Sequence, residues 1–207
     1  ADDVESIEPC TLAEYGNVAV VELSESAASR RDANVDRAQR DLYVSSSCGL
    51  CGKQSIDRVA QEAPVLPSGL LVSPALLASL PTRLREVQDG FAVTGGLHAA
   101  AVFERDGTLR VLREDIGRHN AVDKVIGHEV LLGRTPIEDG VLLVSGRASF
   151  EIVQKAAMAG VPVVCAVSAP SSLAVDLAAR RHVPLVAFLR GNRMNVYADE
   201  PGRVVGA

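Results

Sequence analysis

Two closely spaced thiols are the sharpest chemical feature of the sequence: Cys48-Gly49-Leu50-Cys51, preceded by Ser45-Ser46-Ser47 and followed by Gly52-Lys53. A Cys-x-x-Cys pair can chelate zinc, close a reversible disulfide, or supply a nucleophile with a helper thiol. Closed zinc sites take two further ligands. Cys10 and Cys165 are isolated and the 4 histidines are scattered, which argues against one. A thioredoxin-type pair is expected at a helix start directly after a strand, with an aromatic neighbour. Serines and glycines surround this pair instead, so the reading is a swinging loop whose thiol, near Lys53, attacks or carries. An incidental pair is the plain alternative.

Four other segments bring polar groups together. Thr94-Gly95-Gly96-Leu97-His98 opens a strand, with His98 either a proton shuttle or a hydrogen-bonded turn histidine. A zinc deaminase places Glu two residues after such a His, with its Cys pair downstream. Here Ala100 stands at that position and the Cys pair lies upstream, so deaminase chemistry is excluded. Glu114-Asp-Ile-Gly-Arg-His-Asn-Ala-Val-Asp-Lys124 crowds a helix start, where Asn120 is a candidate cap and Arg118, His119 and Lys124 are candidate anion donors. Ser145-Gly146-Arg147-Ala148-Ser149 and Ser168-Ala169-Pro170-Ser171-Ser172 are strand-to-helix turns whose N–H groups and hydroxyls suit phosphate or carboxylate. Neither fits a P-loop or a dinucleotide fingerprint. Phe188, Leu189, Arg190, Gly191, Asn192 and Arg193 set two guanidiniums around a glycine, the geometry for bidentate phosphate or guanine-edge contacts. The only lysines, Lys53, Lys124 and Lys155, all fall in or beside these segments.

The elements that position these groups follow from hydrophobic spacing. Residues 17–23 form an apolar strand, and residues 74–88 a helix with Leu76, Leu77, Leu80 and Leu84 on one side. Residues 97–104 and 109–113 read as a hairpin turned at Asp106-Gly107. Residues 120–132 are helical, with Val122, Val125, Ile126, Val130 and Leu131 at helical spacing. Then strands at 141–144, 161–167 and 185–189 alternate with helices at 150–159 and 170–181. Short connections imply right-handed crossovers and parallel pairing. The fold class is therefore α/β, a three-layer sandwich with a mixed sheet, whose working crevice lies beyond the carboxyl ends of the strands. Residues 1–44 read as an N-terminal strand and variable region, and 45–207 as the α/β core.

Composition narrows the partners. The 207 residues are 47% hydrophobic and only 3% aromatic, without Trp, and the net charge is −5. A core of Ala, Val, Leu and Ile follows, and a nucleic-acid platform, which needs stacking rings and a basic surface, does not. Residues 63–82 and 156–175 carry no formal charge but are broken by prolines, so neither spans a membrane as one helix. No secretory signal pattern opens the chain, and its 4 unevenly placed cysteines do not make a disulfide scaffold. A cytoplasmic location is expected.

Together the segments resemble the formate dehydrogenase accessory sulfurtransferase family (FdhD). The strings carrying the resemblance are Ser47-Cys-Gly-Leu-Cys-Gly-Lys53, Thr94-Gly-Gly-Leu-His-Ala-Ala100 and the run from Glu114 to Lys124. To these add Ser145-Gly-Arg147 with Glu151 and Lys155, Ser168-Ala-Pro-Ser-Ser-Leu-Ala-Val175, and Phe188-Leu-Arg-Gly-Asn-Arg-Met-Asn-Val-Tyr197. The resemblance implies a bacterial cytoplasmic protein with a cytidine-deaminase-like core. It implies a transferase of molybdenum cofactor biosynthesis that takes sulfur from a cysteine desulfurase as a persulfide. The sulfur passes to the bis-molybdopterin guanine dinucleotide cofactor of formate dehydrogenase, which is bound as a client; no permanently bound metal is implied. By position, Cys48 matches the persulfide carrier, Cys51 is a supporting thiol, and residues 188–193 match the cofactor-binding segment, which meets the guanine nucleotide moiety. A homodimer is a family-level expectation. The family also carries a further β-rich N-terminal segment, so these residues are expected to retain the core without it. A redox-switched nucleotide-binding module, with Cys48 and Cys51 as a disulfide and no transfer, is the competing reading, and a zinc-stabilised adaptor is a third.

Overall fold

Strands too short to be helices and apolar at every position need cover on both faces, and the sequence from residue 141 onward supplies three of them. The computed structural model describes residues 3–9, 19–27 and 69–205. It divides into two units, residues 1–43 and 44–207. In the first, β1 (Val4–Pro9) pairs antiparallel with β2 (Ala19–Leu23), with Ile7 opposite Val21. The expected strand at 17–23 is thus β2, while β1, rich in carboxylates, carries no alternating pattern that would announce it. The Cys48–Cys51 pair and Lys53 lie outside the described residues, as does Cys10.

The second unit contains α1 (Pro74–Glu86), α2 (Asp89–Thr94), β3 (His98–Phe103), β4 (Leu109–Asp115) and α3 (Arg118–Leu131). It continues with β5 (Val141–Val144), α4 (Phe150–Met158), β6 (Val163–Ala166), α5 (Ser172–Arg181), β7 (Leu185–Arg190) and β8 (Arg193–Ala198). The sheet order is β4-β3-β5-β6-β7-β8. Pairing is parallel between β5, β6 and β7 and antiparallel elsewhere. That is the expected mixed sheet, one strand wider than the sequence pattern gave. β8 (Arg193–Ala198) is the additional edge strand; its alternation of Arg193, Asn195 and Tyr197 with Met194, Val196 and Ala198 is a strand signal, although most of its residues are exposed.

The period of two along the strands divides the core. Ala100, Val102, Leu142, Val144, Val164 and Ala166 pack with α3, α4 and α5 on one face. Ala99, Ala101, Phe103, Leu143 and Cys165 meet Leu77, Leu80 and Leu84 of α1 on the other. Three layers result. Ser73 caps α1 by accepting the Leu76 N–H at 3.1 Å, and Pro74 sits at the first helical position, where its missing N–H does no harm.

Two expectations inside the helices change. α3 begins at Arg118, not at residue 120, because Gly117 is the N-cap; Asn120 lies in the first turn. Farther along α3, Glu129 is fully buried whereas Leu131 is 75% exposed, the reverse of their hydropathies. The Arg110 guanidinium explains the first: it stands 3.7 Å from Glu129 and also pairs with Glu104 and Asp139, both at 2.6 Å. A cation bound to three carboxylates lets one of them enter the core. Among the described residues, no helix is long and apolar enough to cross a membrane.

Candidate functional site

The carboxyl ends of β5, β6 and β7 gather the segments singled out by spacing. At the end of β5, the Ser145 N–H donates to the Ala99 carbonyl and the Ser145 hydroxyl accepts the Ala99 N–H, both at 2.9 Å. Ser145 therefore extends the β3–β5 ladder by one residue and fixes the start of β3, where His98 stands. Gly146 makes this approach possible: a Cβ there would lie 3.3 Å from His98 Nδ1. Upstream, α2 ends on Gly95 in the left-handed conformation, φ 64°, with its N–H on the Phe91 carbonyl. The Gly95-Gly96 turn thus belongs to a helix C-cap, an element the sequence reading did not contain.

The cavity at this end of the sheet measures about 590 Å³, within the range of small-molecule sites. Its walls are the second half of α1 with Arg85, the Phe91 and Gly95-Gly96 region of α2, and His98, Ser145 and Val167 at the strand ends. The Arg85 guanidinium lies 4.0 Å above the Phe91 ring, a cation–π contact that holds both at the wall.

The two serine turns are zipped to each other rather than left open. Val167 N–H donates to Val144, Ser168 to Gly146, Ala148 to Ala169 and Ser171 to Ala148, at 2.9–3.3 Å. Those four N–H groups are therefore not free for an anion. Ser171 caps α5 through the Ala174 N–H. Ser149, the N-cap of α4, instead places its hydroxyl 2.8 Å from His119 Nε2. Glu151 Oε2 approaches the same nitrogen at 3.6 Å. Burial and the neighbouring Arg118 charge lower the affinity of His119 for a proton, which keeps the ring neutral near pH 7.

The polar run before α3 is largely architectural. Glu114 accepts the Gly90 and Phe91 N–H groups at 2.8 and 2.9 Å and so caps α2. Asp115 accepts from Gly117 N–H at 2.8 Å and Asn120 Nδ2 at 3.1 Å and pairs with Lys124 at 2.6 Å. Those contacts, Lys124 foremost, hold its carboxyl down at about 2. Lys155 is paired with Asp123. Of the three anion donors expected here, Lys124 is committed to Asp115 and His119 is neutral and held by Ser149.

Residues 188–193 form the tip of the β7–β8 hairpin, with Arg190 opposite Arg193. Phe188, Arg190, Gly191, Asn192 and Arg193 are exposed, while Leu189 is fully buried under α1. Arg147, Arg190 and Arg193 make no ion pair among the described residues, although the protein is acidic overall. The remaining thiol of the core, Cys165, is fully buried and its pKa is pushed far up by that burial, so it is no nucleophile.

Comparison with known proteins bears directly on these segments. The model of the FdhD/NarQ family matches residues 1–205. The sulfur carrier protein FdhD of Streptomyces coelicolor is 59% identical over 163 residues, covering 77% of this chain and 58% of that protein. Its counterpart in Mycobacterium tuberculosis is 58% identical over 160 residues, covering 76% of this chain and 58% of that protein. A crystal structure described as a formate dehydrogenase accessory protein from Desulfotalea psychrophila superposes with a TM-score of 0.64 at 32% identity, over 72% of this chain and 62% of the other. The chain thus spans about 58% of the length of the curated relatives it matches. With the family's model matching residues 1–205 and relatives at 58–59% identity, the chain belongs to the FdhD/NarQ family.

Proposed function

We propose that this chain is the core of a sulfur carrier that loads Cys48 with sulfur and delivers it to the bis-molybdopterin guanine dinucleotide cofactor of formate dehydrogenase. The observation that carries the reading is the identity of 58–59% with proteins named sulfur carrier protein FdhD. In this reading the Cys48 thiolate attacks the outer sulfur of a cysteine desulfurase persulfide. The desulfurase cysteine leaves as thiolate, and Cys48 keeps the transferred sulfur as its own persulfide. Cys51 is the supporting thiol.

The geometry supports a client that is an extended, anionic molecule with planar rings. The hairpin tip offers Arg190 and Arg193 to a pyrophosphate, and the cavity of about 590 Å³ beside His98 and Ser145 would take part of the cofactor. The test is incubation with a desulfurase and cysteine, followed by mass spectrometry of Cys48→Ala and Cys51→Ala beside the parent protein. A gain of about 32 Da on Cys48, absent from Cys48→Ala together with formate dehydrogenase activation, is expected. Full activation by Cys48→Ala, or a Cys48–Cys51 disulfide with no adduct, overturns the reading in favour of a redox switch.

A further inference from the structure

The β7–β8 pair is interrupted twice, and an aromatic ring stands at each interruption. Register runs Leu185 to Ala198 and Val186 to Val196, so Tyr197 is an extra residue on β8. It then runs Ala187 to Asn195 and Arg190 to Arg193, so two residues of β7, Phe188 and Leu189, face one of β8. Phe188 adopts φ 54°, the left-handed region that a bulky side chain rarely enters, and its N–H reaches the Ser168 carbonyl at 3.2 Å. The kink transfers the core position to Leu189, which joins Val186 under α1, and turns Phe188 outward. Bulges re-aim side chains, and strained backbone of this kind collects at binding sites.

The re-aimed rings meet. Phe188 and Tyr197 have centroids 6.4 Å apart at 40°, and both are more than a third exposed. In a chain with 4 Phe and 3 Tyr and no Trp, an exposed pair is not a by-product of a ring-rich surface; Phe103 and Phe150, by contrast, are fully buried. Arg190 and Arg193 close the same hairpin and are free of ion pairs among the described residues. Rings with open π-faces beside unpaired guanidiniums are the recognition chemistry of a purine nucleotide.

We infer that Tyr197 is a nucleotide-binding residue, forming with Phe188 a two-ring platform on which the purine base stacks while Arg190 and Arg193 take the phosphates. The inference rests on the reading that residues 188–193 face the cofactor, and it adds a residue outside that segment. Guanosine diphosphate and inorganic pyrophosphate, titrated by calorimetry, are the probes. Tyr197→Leu keeps bulk but removes the π-face, and Tyr197→Phe keeps the ring. Tyr197→Leu is expected to weaken guanosine diphosphate about five- to a hundredfold while Tyr197→Phe stays within about twofold, since stacking is sequence-tolerant and needs only a ring. Pyrophosphate affinity is expected to be equal in all three proteins. Equal guanosine diphosphate affinity in Tyr197→Leu and parent, equal losses for both probes, or no binding by the parent at millimolar nucleotide each overturns the platform. The persulfide assay on Cys48 reads the underlying function separately, so a failed platform leaves that result standing.

Discussion

Lys124 Nζ lies 2.6 Å from Asp115 Oδ2 and tethers the first turns of α3 to the end of β4. Asp115 also serves the Gly117 N–H, so one carboxylate holds the helix start from two sides. Its pKa of about 2 lies below the ordinary aspartate value near 3.8. Because the folded value is the lower one, the unfolded chain takes up the proton first as pH falls. The stabilisation is complete above about pH 4 and disappears between there and about pH 2. Asp115→Asn is accordingly expected to be less stable than the parent at pH 7, with a gap that has shrunk by more than half at pH 2.5. Urea midpoints at both pH values measure this; a constant gap would exclude the ion pair as its source.

Glu129 and Leu131 make a second pair of predictions, opposite to what hydropathy suggests. Glu129→Ala empties a fully buried position and removes the most distant of the three carboxylates around Arg110, and is expected to destabilise by about 1–2 kcal/mol. Leu131→Ala touches an exposed side chain and is expected to change stability by less than about 0.5 kcal/mol. Denaturant titration of both variants decides. A larger loss for Leu131→Ala would mean that a partner covers this end of α3.

These residues also mark where sequence reasoning reached and where it stopped. The parallel strands, the hairpin and α1, α4 and α5 were legible because their apolar spacing serves burial alone. Glu129 was not, since its burial depends on Arg110, which stands on another element and could not be placed beside it by spacing. Glu114 and Asp115 looked like chemistry, yet they cap α2 and α3; the cap of α2 could not be read while α2 itself was unseen. The arginines at the hairpin tip were found as a segment, but Tyr197 was not given a role. Its meeting with Phe188 arises from two bulges, and a bulge leaves no mark in the hydrophobic pattern.

Cys165 is expected to resist chemistry that modifies accessible thiols. It lies on β6 under α1, wholly buried, and burial favours its neutral form. Iodoacetamide at pH 8 should leave Cys165 unlabelled in the native protein and label it in urea, as peptide mapping will show. A persulfide found on Cys165 after desulfurase treatment would contradict its placement in the core.

His119 supplies a prediction on the acid side of neutrality. Desolvation is the main cause of its lowered pKa, the Arg118 charge the next, and Glu151 partly opposes them. The folded state therefore binds a proton less readily than the unfolded chain, whose histidine titrates near 6.5. Above that value the ring is neutral in both states and contributes no pH dependence. As pH falls through 6.5, the unfolded chain gains its proton first and the protein loses stability. Glutamine at this position keeps an amide within reach of Ser149 but cannot titrate. The parent should thus fall faster than His119→Gln between pH 7.5 and about 5, and the difference between their urea midpoints should narrow or change sign over that range. Parallel curves would mean that His119 protonates as easily folded as unfolded, and that Ser149 and Glu151 accommodate the charged ring.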